Sequence, residues 1–177
     1  MNPFDLKLLT ILIIAIAIYR FSRMIYNKYI ATPIAPIDSS PKKSFSQGAA
    51  KRYVKKIPDL AYYAVRSAKK QFDINLDYSK DSIHRLDDLL DQINHHYHEG
   101  NIPQAELNTI IPYWAAYLGQ TVIKTNSTLH LKWSFTPDKK NNPIYAIIIA
   151  ENKTIHPFHI IEKRIVSKNH KPIYDVI

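Results

Sequence analysis

The chain has 177 residues, with 24 Lys and Arg against 15 Asp and Glu, and a formal net charge of +9. It contains no cysteine, which excludes disulfides and thiolate metal sites, and its three glycines, Gly48, Gly100 and Gly119, lie too far apart to build a phosphate-cradling loop. There is no G-x-S-x-G elbow either, so nucleotide-dependent enzymes and serine or cysteine hydrolases of known pattern are disfavoured.

The first element is an uninterrupted apolar run, Leu8 to Tyr19. It is shorter than the ~20 residues a helix needs to cross the hydrocarbon core. Phe4, Leu6 and Phe21 lengthen the apolar surface, and Lys7 and Arg20 can snorkel toward the interfaces, so an N-terminal transmembrane helix is expected within residues 1–26. A cleaved secretory signal is the rival, but the run ends in Tyr-Arg-Phe-Ser-Arg and not in a small-residue cleavage site. An ordinary core helix is the third alternative.

Orientation follows from the flanking cations. Arg20, Arg23 and Lys28 follow the run, whereas Lys7 and the amino terminus precede it, which places the bulk of the chain in the cytoplasm. Nine Lys or Arg against one acid, Asp38, lie between Arg20 and Lys56, so the excess charge is concentrated beside the anchor. That distribution suits an anionic leaflet and makes nucleic acid an unlikely partner.

Residues 27–50 carry Pro33, Pro36, Pro41 and five Ser or Gly, the composition of a semi-rigid basic tether. A single soluble domain is expected over residues 51–177. Its first helix starts near Lys51 and is interrupted or restarted at Pro58, with Ala61, Val65, Ala68 and Phe72 inward. A short extended piece, Ile74 to Tyr78, leads to Ser79, an N-cap for a second helix. In that helix Ile83, Leu86, Leu89, Leu90, Ile93 and Tyr97 form an apolar stripe, Asp81, Asp87, Asp88 and Asp91 face solvent, and Gly100 marks the stop.

A third helix is expected from Pro103 to Lys124, kinked or divided at Pro112, with Leu107, Ile110, Ile111, Trp114, Leu118 and Val122 inward. The period then changes to two. Leu129, Leu131, Trp133 and Phe135 alternate with polar residues as a half-buried strand, Pro137 to Pro143 supplies a turn, and Ile144 to Ala150 reads as a more deeply buried partner. After an Asn152-Lys153 turn comes a short helix, Phe158 to Ser167, with Ile160, Ile161 and Ile165 inward, and an edge strand from Pro172 to Ile177. Helices first and an antiparallel hairpin afterwards predict an α+β domain: a helical half, then a small antiparallel sheet with a short C-terminal helix.

Three motifs suggest a family: Tyr117-Leu118-Gly119 late in a long helix, Leu131-x-Trp133 on the next strand, and Pro157 followed by Ile161-x-Lys163-Arg164-Ile165. Over about Ser82 to Val166 the chain resembles a family of bacterial domains of unknown function that share a helical "LG", a strand "W" and a terminal "P…KR" segment. The resemblance implies an α+β fold and a bacterial source; taken with the apolar run and its cationic flank, a bacterial source makes the expected location the inner membrane, single-pass, with the C-terminal domain cytoplasmic. The resemblance implies no activity.

The resemblance also draws attention to Lys163 and Arg164, a basic pair that would bind an anionic group beside Trp133; the alternative is a structural ion pair through Arg164 with Lys163 exposed. Trp133 and Trp114 read more simply as core residues, and Gly119 as a point of close packing. His95 and His98, three apart on a helix, are a weak metal candidate without a carboxylate motif to complete it. His84 with Asp88 or Asp91 could face the same way as these histidines; an enzyme would need His95, His98 and Asp91, with Lys163 or Arg164, to converge in one concave pocket, and the Asp row itself reads more simply as a solvated helix face. No cofactor is expected. The functional expectation is a membrane-tethered module that binds another protein, of an inhibitor or immunity type, with a membrane-associated enzyme or a periplasmic envelope protein as alternatives.

Overall fold

The computed structural model describes residues 47–137, 143–148 and 154–175. The apolar run, its flanking Lys7, Arg20, Arg23 and Lys28, nearly all of the tether, and the interiors of the two expected turns lie outside the described residues. Among the described residues no helix is long and apolar enough to cross a membrane.

The described residues form four α-helices and three short strands: α1 (Gln47–Phe72), α2 (Asp81–His98), α3 (Gln104–Thr125), β1 (Lys132–Pro137), β2 (Pro143–Ile148), β3 (Thr154–Ile155) and α4 (Pro157–Val166). Single 3-10 turns occupy Ser127–Leu129 and Ile173–Asp175. Helices precede the sheet, as the α+β reading anticipates, and the sheet is antiparallel in the order β1-β2-β3. Lys132 pairs with Ile148 and Pro137 with Pro143, so the two prolines face each other at the loop end of the hairpin, while Ile147 and Ile148 pair onward with Ile155 and Thr154.

Helix α3 is the centre. Its buried residues include Leu107, Ile110, Trp114, Tyr117, Leu118 and Val122, and also Ala115, Ala116 and Thr121, so from Ile110 to Val122 it is enclosed on almost every side. A helix that is apolar all round belongs inside a fold. Its main neighbour is α1, with α4 on another side; α4 in turn packs on α2. The α1 seam is made of Ile57, Ala61, Ala64 and Ala68, all fully buried. Small residues here and in α3 let the two backbones approach closely, so the stripe differs from the expected one: Val65 and Phe72 are only half-buried, and Ile57 and Ala64 take the central places.

Neither proline ends its helix. Pro58 and Pro112 both lie inside continuous α-helices, so α1 is not interrupted at Pro58 and α3 is not divided at Pro112. A helical proline forfeits one backbone hydrogen bond, at a cost of about 3 kcal/mol. Each loses only that bond, whereas stopping α1 or α3 would expose the seams on both sides of it. Leu129 is a second correction: it lies in the 3-10 turn, not in the strand, because His130 adopts a left-handed φ of 47° that reorients the chain before β1. Within the expected edge strand, Ile173–Asp175 form a 3-10 turn instead, and the last two residues lie outside the described residues.

Helix α2 is bounded as its sequence suggests. The Ser79 hydroxyl accepts the Ser82 backbone N–H at 3.1 Å, and the Ser82 hydroxyl donates to the Ser79 carbonyl at 2.7 Å. At the other end Gly100, with φ 79°, donates to the Tyr97 carbonyl while Asn101 donates to that of His96. This is a Schellman closure, which needs a left-handed residue where Gly100 stands.

Candidate functional site

Two features stand out among the described residues: a polar knot under α4, and a groove whose lip that knot positions. The knot begins with Asp87. The alternating acids of α2 suggest a wholly solvated row, but Asp87 is 7% exposed, a correction to that reading. Its carboxylate Oδ1 accepts from Arg164 Nε at 2.7 Å and from the Ile173 backbone N–H at 3.1 Å. Arg164 is 4% exposed; its Nη2 also donates to Asp91 at 3.2 Å, and its Nη1 to His170 Nε2 at 2.7 Å. One helical turn on, Asn94 donates its side-chain amide to the carbonyls of Ile165 and Ser167 at 2.6 and 3.0 Å, closing the C-terminus of α4.

Deleting one partner of such a buried pair leaves an uncompensated charge and costs about 3–5 kcal/mol. The knot therefore fastens α4 and the C-terminal segment to α2 with a defined register. Because an arginine can only donate, His170 Nε2 must accept, and the imidazole is neutral. Burial and then the Arg164 charge hold its pKa below the ordinary 6.5, against the opposing pull of Asp91 and Asp87.

The groove lies beside this knot. Ile83 and His84 of α2, with Lys80 just before it, form one wall; Val122, Thr125 and Asn126 at the end of α3 form the other; Leu129, Leu131, Ile155 and Tyr174 complete it. Its volume is about 360 Å³, at the small end of ligand pockets. Ile83, Val122 and Leu131 are buried and supply an apolar floor. Leu129 and Tyr174 stand at the lip with 47% and 44% of their surface exposed.

Local structure explains each position. Asp87 holds the Ile173 amide, Ile173 is buried, and the next residue, Tyr174, is thereby laid on His84 with ring centroids 4.3 Å apart. Thr125 and Asn126 turn their hydrogen bonds back onto α3, to the Thr121 and Val122 carbonyls at 2.9 Å each, which finishes that helix and leaves the groove end closed by polar groups. The wall before α2 is braced by Tyr117, whose hydroxyl accepts the Tyr78 amide at 3.0 Å; Lys124 sits over the Tyr78 ring at 3.4 Å.

The residues singled out from the sequence do not gather at one opening. Lys163 is exposed on α4, while Arg164 points inward to the knot. Trp133 is half-buried, edge-on to Phe158 at 6.3 Å, and its ring lies where a Cβ on Gly119 would be, 2.1 Å from that position. His95 pairs with Glu99 at 3.0 Å on the exposed end of α2, His98 lies against Tyr97, and neither lines the groove. Asp91 faces Arg164 and His84 faces Tyr174, so these two groups do not converge. Among the described residues no three metal-binding side chains come together.

Leu129 and Tyr174 were not among the sequence-derived site residues. The available signal was faint: a large apolar residue in a Ser-Thr-Leu turn and a tyrosine followed by an acid. No protein-family model, curated protein or solved structure matches the chain.

Proposed function

We propose that this chain is a membrane-tethered binding module whose α+β domain takes a side chain or short segment of another protein into the groove between α2 and the end of α3. The observation that carries the reading is the pairing of an apolar floor with an exposed apolar lip, Leu129 and Tyr174, held in place by a buried ion pair. Covering those two half-exposed side chains contributes about 1 kcal/mol each at ~25 cal/mol per Å². A site of that kind fits recognition, and recognition needs no acid, base or nucleophile.

The apolar run Leu8–Tyr19 and its cationic flank Arg20, Arg23 and Lys28 support an anchor in the bacterial inner membrane with the domain on the cytoplasmic side. An inhibitor or immunity-type role is consistent with such a module: it acts by occupying a partner. The test is the Leu129→Asp variant, expressed as the full chain in its membrane. Surface substitutions change stability by about 0.5 kcal/mol or less, so its melting temperature should match wild type, while the protein that co-purifies with wild type should be lost or weakened about tenfold, the equivalent of ~1.4 kcal/mol. Undiminished co-purification at unchanged stability would remove the groove from the function.

A further inference from the structure

Helix α1 has two opposite faces, and the outer one is not an ordinary solvated surface. Lys51, Arg52, Lys55 and Lys56 occupy its N-terminal half, and Arg66, Lys69 and Lys70 its last two turns; all seven are exposed, against a single acid, Asp59. Lys51, Lys55, Tyr62, Arg66 and Lys69 follow at steps of four, seven, four and three, which is one line along a 3.6-residue helix. That line is about 27 Å long at ~1.5 Å per residue, and it lies opposite the seam of Ile57, Ala61, Ala64 and Ala68. Tyr62, 55% exposed, lies in it with Arg66 5.8 Å over its ring.

Solvated helices usually interleave signs, so that acids and bases pair at i and i+4. Here three of the charged i and i+4 pairs within the helix are like-charged, Lys51 with Lys55, Arg52 with Lys56, and Arg66 with Lys70, against one opposite pair, Lys55 with Asp59, a balance that disfavours the helix by itself. The ion pair on this face, Lys69 to Asp73 at 2.6 Å, is at its far end. An anionic surface against the stripe would relieve that repulsion along the whole helix.

We infer that the outer face of α1 docks on the anionic headgroups of a lipid leaflet, laying the helix along the membrane and fixing the direction in which the groove faces. The inference rests on the membrane-tethered reading above. A straight, lysine-rich stripe on one helix, continuing in sequence from a basic tether and an apolar run, matches a flat anionic surface better than the groove of a duplex. Tyr62 supplies an amphipathic ring suited to the headgroup level.

The absence of cysteine makes single-cysteine labelling direct. The full chain is placed in vesicles of phosphatidylcholine alone, or of phosphatidylcholine with phosphatidylglycerol, carrying a spin label at Tyr62→Cys or, as control, at Glu162→Cys on exposed α4. Collision of the Tyr62 label with a water-soluble nickel chelate should fall severalfold in the anionic vesicles. It should recover in 1 M salt, where the screening length is about 3 Å, and in the Lys55→Glu/Arg66→Glu/Lys69→Glu variant, while the control label stays unchanged. Equal accessibility in both lipids, in chains that resist alkaline carbonate extraction, would overturn the docking and leave the anchor standing. Chains stripped by carbonate would remove the anchor, and the docking with it. Protection of Tyr62 by double-stranded RNA in the zwitterionic vesicles, without protection by anionic lipid, would reassign the face to nucleic acid.

Discussion

Gly119 and Trp133 make the most sharply defined contact in the core. The indole occupies the space of the missing Cβ, so Gly119→Ala forces the ring away from α3, and overpacking of this kind costs about 1–3 kcal/mol. Trp133→Leu leaves room for the added methyl. The double variant should therefore be more stable than the sum of the two single losses predicts, measured by urea unfolding. Strict additivity would mean that the ring is not what opposes the methyl. Reading the sequence placed both residues in the core but could not pair them, because nothing in a linear pattern says which strand residue meets which helical glycine. The same limit hid Asp87. Among four acids on one helix, the one that turns inward is chosen by an arginine 77 positions later, a contact without any local signature.

At the scale of elements, the periodic apolar stripes of α2 and α3 and the signals at Ser79 and Gly100 were legible because they depend on neighbours three to five residues away. The prolines show the complementary limit: a local rule allows an interruption at Pro58 and a division at Pro112, and burial of the α1 and α3 seams keeps both helices continuous. The attachment of the C-terminal segment depends on a titratable group, so it should respond to pH. His170 has its pKa lowered in the fold, so between its folded value and 6.5 the unfolded chain binds more protons than the folded one. Stability from this group is present above pH 6.5 and is lost as pH falls through the folded value. Melting temperature should decline on acidification from pH 7 more steeply in wild type than in His170→Gln. Glu106, whose pKa burial raises above 4.5, acts in the opposite sense, which is why the two proteins are compared over the same range. Parallel curves would mean that burial and Arg164 do not lower the imidazole's pKa in the fold, and a shallower decline in wild type would mean that Asp91 governs it.

For the whole molecule, the pieces have a simple division of labour. Helices α1 and α3 provide a rigid centre, the knot of Asp87, Arg164 and His170 fastens α4 and the last turn, and that turn carries Tyr174 to the groove lip. The outer face of α1 carries the charge that the sequence concentrates after the apolar run. Composition alone marks the apolar run and the basic bias that follows it, since both are properties of contiguous residues. The groove was not legible, because its walls come from five segments that only the fold brings together.

The central claim, that this groove receives a partner protein, is tested most directly by a photoreactive benzoyl-phenylalanine placed in the full chain at Leu129 or Tyr174, and separately at Tyr62 on the far face. Irradiation in intact cells should give a discrete protein adduct from the two lip positions, absent at Tyr62 and suppressed at Tyr174 by Leu129→Asp. Protein adducts that are equally abundant at all three positions, or that appear only at Tyr62, would contradict it.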